Sequence, residues 1–137
     1  MAFIAAKRPV AATKIDLTAN DQHGNAINIE FVAQYRRHMP DDLADLKDGM
    51  ANSVRVQQGL ELVERPDGSP VPPYAYTSDM AFIKDKLVGW LGVKDGGGDA
   101  IPYSEQALEN VLSDWPELIG PLFKGFFSAH EGARQKN

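Results

Sequence analysis

Cysteine is absent from the 137 residues. That rules out disulfides and thiolate metal sites, and it suits a reducing cytoplasm. Histidine is scarce: His23 falls in a turn, His38 at a strand end and His130 near the carboxy end. None has a second histidine at helical spacing, so no zinc site is written locally. Positive charge is short as well, with 14 Lys and Arg against 19 Asp and Glu for a net −5. A chain that neutralises phosphates carries a basic face, whereas the basic clusters here are Lys7-Arg8 and Arg36-Arg37-His38. Nucleic acid is therefore not the expected partner. Long hydrophobic runs are missing too. The longest apolar-rich stretch, Leu118 to Ala129, is broken by Gly120, Pro121, Lys124 and Gly125, well short of the roughly 18 residues of a membrane span. Met1–Pro9 is too short and too weakly apolar for a signal peptide.

Catalytic and ligand signatures fail on inspection. The glycine-rich stretch Asp95-Gly96-Gly97-Gly98-Asp99 places Ala100 and Gln106 where a calcium loop needs glycine and glutamate. It lacks the Gly-Lys-Ser/Thr of a phosphate loop, and its two aspartates repel an anion. No serine sits in a Gly-x-Ser-x-Gly elbow. The pair Asp41-Asp42 lies at an expected helix start, where capping accounts for it. No catalytic, cofactor-binding or metal residue is assigned, and no cofactor is expected.

What is present reads as one α+β domain over 1–137, an N-terminal β-hairpin packed on a mainly helical C-terminal bundle. Residues 1–9 form a loose arm ended by Pro9, and the hairpin occupies 10–37. From Thr13, Ile15 and Leu17 alternate with Lys14, Asp16 and Thr18. After the turn Asn20–Asn25, Ile27, Ile29, Phe31, Ala33 and Tyr35 alternate with Asn28, Glu30 and Gln34. Residues 41–64 start as a helix capped by Asp41 or Asp42, with Leu43, Leu46, Met50 and Val54 at helical spacing. Val54–Glu64 fits either a strand or a continued helix. Residues 65–76 hold four prolines and an Asp-Gly pair, which suits an ordered loop or a flexible linker.

Residues 77–130 form the helical part. A helix capped by Thr77 or Ser78 presents Met80, Ile83, Leu87, Trp90 and Leu91 on one side and stops near Gly92. Ser104 caps the next, with Tyr103 placed to staple onto Leu108 and with Ala107, Leu108, Val111 and Leu112 as its buried face. Asp114-Trp115-Pro116 caps a last helix carrying Leu118, Ile119, Leu122, Phe123, Phe126 and Phe127. A polar tail, 131–137, frays. The aromatic residues of this third, Trp90, Trp115, Phe123, Phe126 and Phe127, are the candidate partner-binding residues. Most also suit an ordinary core, but adjacent Phe126 and Phe127 cannot both face inward, which leaves Phe127 to project sideways.

The order of segments resembles the tail assembly chaperones of long-tailed bacteriophages and prophages. The residues that carry it are the hairpin ending Phe31-Val32-Ala33-Gln34-Tyr35-Arg36-Arg37 and the segment Lys86-Leu87-Val88-Gly89-Trp90-Leu91-Gly92-Val93. The glycine-acid loop follows, then Ile101-Pro102-Tyr103-Ser104-Glu105, Leu108-Glu109-Asn110-Val111-Leu112 and the ending Ala133-Arg134-Gln135-Lys136-Asn137. The likeness is firmest over Asp79–Asn137. It implies a non-enzymatic protein of the bacterial host cytoplasm that transiently binds the tape-measure protein, keeps it soluble and helps recruit the major tail protein. The alternatives are a structural minor tail or connector component and a small hydrolase with scattered carboxylates. Oligomeric state is not legible in the sequence.

Overall fold

Eleven paired residues on each side make the hairpin the longest regular feature. The computed structural model describes residues 2–131, and the hairpin strands are β1 (Val10–Asn20) and β2 (Ala26–Arg36), antiparallel in continuous register from Val10 opposite Arg36 to Asn20 opposite Ala26. Asp21 shapes the turn, its Oδ1 accepting from the backbone N–H groups of His23 (2.8 Å) and Asn25 (2.9 Å). Gly24 supplies the positive φ of 80°. The expected alternation holds: Ala11, Ile15, Ala19, Phe31, Ala33 and Tyr35 are buried on one face, while Lys14, Asp16, Thr18, Asn28 and Glu30 are exposed on the other. The remaining elements are α1 (Pro40–Gln57), α2 (Asp79–Lys86), β3 (Leu87–Leu91), α3 (Glu105–Asp114), a 3-10 turn (Pro116–Leu118) and α4 (Ile119–Glu131). A three-stranded antiparallel sheet with four helices makes the chain α+β.

The helix expected to run from residue 78 to Gly92 ends instead at Lys86, and Leu87–Leu91 pairs with β2 as a third strand. Ser78 starts the helix as expected, its hydroxyl accepting from Ala81 N–H. The pairs are Leu91 with Val32, Trp90 with Ala33, Gly89 with Gln34 and Leu87 with Tyr35, so Val88 is the extra residue of a bulge. That bulge explains the misleading pattern. It resets the alternation and puts Leu87 and Trp90, three apart, on the same buried face, a spacing that otherwise marks a helix. Gly89 is disfavoured inside a helix, whereas Val88 and Trp90 suit a strand.

The chain divides into two compact units, residues 1–37 with 78–137, and residues 38–77. This subdivides what the sequence presents as one domain. In the first unit, α4 packs on the inner sheet face through Gly125, where a Cβ would stand 2.5 Å from the Tyr35 hydroxyl and 3.0 Å from Ile15 Cδ1. Tyr35 donates to the Leu122 carbonyl at 2.7 Å and meets Phe126 edge-on. Ser104 caps α3 through Ala107 N–H. Leu108 and Leu112 are buried, Ala107 and Val111 half-buried. Asp114, expected to cap the last helix, still belongs to α3. The chain reverses at Trp115, which precedes the 3-10 turn and makes no side-chain cap bond. His130 and Glu131, expected in or near a fraying end, complete α4. The rest of the tail, including Ala133–Asn137, lies outside the described residues.

In the second unit, Met39 rather than Asp41 or Asp42 is the N-cap of α1. Pro40 occupies the first helical position and holds Met39 extended, leaving both aspartates in the first turn to face the helix dipole. The helix closes at Gly59, whose φ is 71°, with Leu60 N–H donating to Arg55 O (2.8 Å) and Gly59 N–H to Val56 O (3.1 Å). These two bonds form a Schellman motif, so neither a strand nor a longer helix occupies 58–64. The proline-rich stretch beyond is an ordered loop. Arg65 donates to Asp45 (2.7 Å), Asp48 (2.9 Å) and the Pro70 carbonyl (3.1 Å). Val63 N–H donates to Asn52 Oδ1 at 2.6 Å. Gly49 lets the backbone of Pro72 and Tyr74 close on the helix, since a Cβ there would meet Pro72 O at 2.7 Å.

Candidate functional site

The five aromatic residues singled out by sequence do not share one surface. Phe126 is fully buried and Trp90 nearly so, which corrects their assignment as partner contacts. Phe126 faces the sheet between Tyr35 and Phe82, with centroids 5.8 and 5.2 Å away. Trp90 donates its indole N–H to the Ile101 carbonyl at 2.7 Å and stands edge-on to Tyr103. Tyr103, expected to staple onto Leu108, donates to the Leu87 carbonyl at 3.0 Å. Phe123 and Phe127 are half-buried against Phe82, at 4.7 and 5.8 Å between centroids. Phe82, which the sequence does not distinguish from other helix residues, is the hub of this cluster. Buried Lys86 places its amine 5.9 Å from the rings of both Phe82 and Phe126.

Trp115 lines a cavity. The far end of the sheet, the β3–α3 connection, α3 and the 3-10 turn enclose a cleft of about 550 Å³ floored by Ile29, Phe31, Val93, Ile101, Val111 and Leu118 with Trp115. Several of these side chains are only half-buried, because no element among the described residues of their unit closes the cleft. Asp95 and Asp114 line it with Lys94, and Asp21 and Glu117 lie on the adjoining surface that shares Asp114 and Trp115. The Asp95 loop is tightly made: its Oδ1 accepts from Gly97 and Asp99 N–H at 2.9 and 3.0 Å, and Lys94 bridges to Ala100.

The second unit carries a different surface. Val54, Val56, Leu60 and Leu62 are 50, 63, 51 and 55% exposed on either side of the turn at Gly59; Val54 and Val56, two apart on α1, face away from each other. Val56 and Leu62 also line a shallow hollow of about 460 Å³ with Val71, Pro72, Pro73 and Tyr74. Residues 38–77 hold seven carboxylates and three bases, which is four of the five net negative charges of the chain. Sequence reasoning missed this surface because it weighed aromatic residues first. The available signal was Val54/Val56 and Leu60/Leu62 flanking a glycine, apolar pairs with no partner element in the sequence to cover them.

The titratable groups are in structural roles. Hydrogen bonds donated to Asp45 and Asp48 hold the Arg65 guanidinium above its ordinary pKa. The Ser69 N–H and hydroxyl hold Asp67 below the usual carboxylate range. Glu109 raises Lys84 and Glu30 raises Lys14 through direct pairs of 2.6 and 2.8 Å. Burial pushes the Tyr35 hydroxyl well above its usual value. Among the described residues no three His, Asp or Glu side chains are grouped to hold a metal, and no helix is long and apolar enough to cross a membrane. No protein-family model, no curated protein and no solved structure matches the chain.

Proposed function

We propose that the chain is a tail assembly chaperone of a long-tailed phage or prophage, which binds the tape-measure protein transiently, keeps it soluble and helps recruit tail tube subunits. The observation that carries this reading is the exposed aliphatic surface where Val56 and Leu62 meet in one hollow of the acidic unit, with Val54 and Leu60 also exposed. The resemblance in segment order supports it independently. An apolar stripe on a long helix is insoluble until another apolar surface covers it, and Val56 and Leu62 with Val71, Pro72 and Pro73 around their hollow offer such a surface. The surrounding negative charge keeps loaded and empty copies apart. Because this surface is anchored by hydrogen bonds and ion pairs rather than by a deep core, it adapts to a partner and releases it.

Co-expression with the large helical protein encoded beside it tests the reading. The wild-type chain is expected to bring that partner into the soluble fraction, and a Val56→Asp/Leu62→Asp chain to leave it in the pellet. Both positions are more than half exposed, so each single change shifts stability by no more than about 0.5 kcal/mol. A partner that stays insoluble with the wild-type chain, or is equally soluble with the variant, rejects the role assigned to this surface.

A further inference from the structure

Two features of the first unit lack a counterpart among its described residues. One is the cleft around Trp115, apolar in its floor and acidic along one side. The other is the segment before β1, where Phe3 is 90% and Ile4 83% exposed, followed by Lys7 and Arg8. We infer that they belong together across two molecules: the segment Phe3–Arg8 of one copy seats Phe3 and Ile4 in the cleft of a second copy, with Lys7 and Arg8 against Asp114 and Glu117. This surface is separate from the aliphatic one of the second unit and does not depend on the chaperone reading.

The chemistry matches on both counts. Two large apolar side chains meet a floor of Ile29, Val111 and Trp115, and the two cations that follow meet a wall that carries Asp95 and Asp114. Lys94 is the one base lining the cleft. The geometry selects a second copy over the chain's own arm. Val10 pairs with Arg36 at one end of the sheet, whereas the cleft lies against Asn28–Phe31 at the other. Five to eight residues of strand separate those levels, and the Ile29 floor lies seven residues away, about 23 Å at a rise of ~3.3 Å per residue. The seven residues from Phe3 to Val10 span about the same length when fully extended. Folding back to seat Phe3 over Ile29 would use the whole arm and leave nothing for the reversal at Pro9 or for crossing to the inner face, where α4 already lies over Thr13 and Ile15. The Arg8 carbonyl also accepts from Arg37 Nη1 at 3.0 Å. That bond ties the arm beside the end of β2, at the opposite end of the sheet from the cleft. Reciprocal exchange of two arms into two clefts closes a two-fold dimer, and the second arm docks as an intramolecular event.

The absence of cysteine makes disulfide mapping on the full chain direct. An Ile4→Cys chain mixed with a Val111→Cys chain is expected to give a cross-linked heterodimer under mild oxidation, while Ile4→Cys mixed with Ser128→Cys, on α4 outside the cleft, is not. Equal yields from the two mixtures, or no heterodimer at all, overturn the inference. A chain carrying both Ile4→Cys and Val111→Cys that cross-links within itself at every dilution also overturns it, since its own arm is then the occupant. Labelling of Val111→Cys by a soluble maleimide should slow as protein concentration rises; a rate that does not change shows that no copy covers the cleft. In sedimentation velocity, Phe3→Asp/Ile4→Asp should raise the dimer Kd by about a hundredfold. Lys7→Glu/Arg8→Glu should weaken it less, with recovery when paired with Asp114→Lys/Glu117→Lys. An unaltered Kd in both arm variants refutes the proposal.

Discussion

All the buried apolar side chains of the described chain fall in one of its two units. From Ala11 to Phe126 they lie in residues 1–37 and 78–131, whereas the only buried residue of 38–77 is Gly49. The first unit is held by apolar packing between a sheet and α4, with Tyr35, Phe82 and Phe126 at its centre. The second is held by one guanidinium bridging Asp45 and Asp48, an Asn52 cap on Val63 and a helix closed at Gly59. Packing is stable and unyielding, while part-exposed polar clips open at low free energy. The rigid unit therefore suits a permanent contact such as a fold or a dimer, and the lightly held unit suits a surface that must engage and release.

The contrast predicts a steep difference in mutational cost. Phe126→Ala removes the ring between Tyr35 and Phe82, and thermal or denaturant unfolding should show the first unit losing about 3–5 kcal/mol. Gly125→Ala should cost about 1–3 kcal/mol, because the new methyl meets the Tyr35 hydroxyl and Ile15 and pushes α4 off the sheet. If Gly125→Ala proved neutral, the close approach of helix and sheet would not be the constraint it appears in the geometry.

How much of this could be read without coordinates follows from the same contrast. The hairpin was legible because period-two alternation over 11 residues has no helical equivalent, and Ser78 and Ser104 because a cap is a local signal. Strand β3 was not legible, since its bulge at Val88 puts Leu87 and Trp90 on one face and imitates helical spacing. The N-cap of α1 was misplaced because a proline in the first turn fixes the entry without any side-chain bond. At the candidate site the aromatic residues drew attention, yet Trp90 and Phe126 are consumed by the core. Aliphatic residues in 54–62 were ambiguous for the reason that makes them available: no second element follows to bury them.

A smaller effect separates hydrogen bonding from packing inside the first unit. Tyr35→Phe keeps the ring and removes the bond to the Leu122 carbonyl, for an expected loss of about 1 kcal/mol. It should also change the alkaline limb. Burial raises the folded-state pKa of Tyr35 above its unfolded value near 10. Below that pH both states hold the proton and its contribution is fully present. Above it the unfolded chain releases the proton first, so stability falls as pH rises toward the folded pKa. Denaturant titrations at pH 9 to 11 should show that decline in the wild-type chain and a shallower one in Tyr35→Phe. Parallel declines would assign the alkaline loss to other groups.

The least costly change to the whole molecule is the most informative about the second unit. Arg65 joins Asp45 and Asp48 on α1 to Ser69 and Pro70 in the loop, so Arg65→Ala cuts several ties at once. Hydrogen exchange should accelerate at Val63 and through the loop to Tyr74, while amides of β1 and β2 keep their rates. Arg65→Lys should restore only part of the protection, because a single ammonium cannot match the planar fork that reaches two carboxylates and a carbonyl together. Asp67 lies in the same loop with a lowered pKa, so its contribution holds above the ordinary carboxylate range and is lost as pH falls through the folded value. Loop protection should therefore decline in acid before the sheet is touched. Were exchange in β1 and β2 to rise together with that of the loop after Arg65→Ala, the two units would open as one, and the division between a packed body and a clipped one would fail.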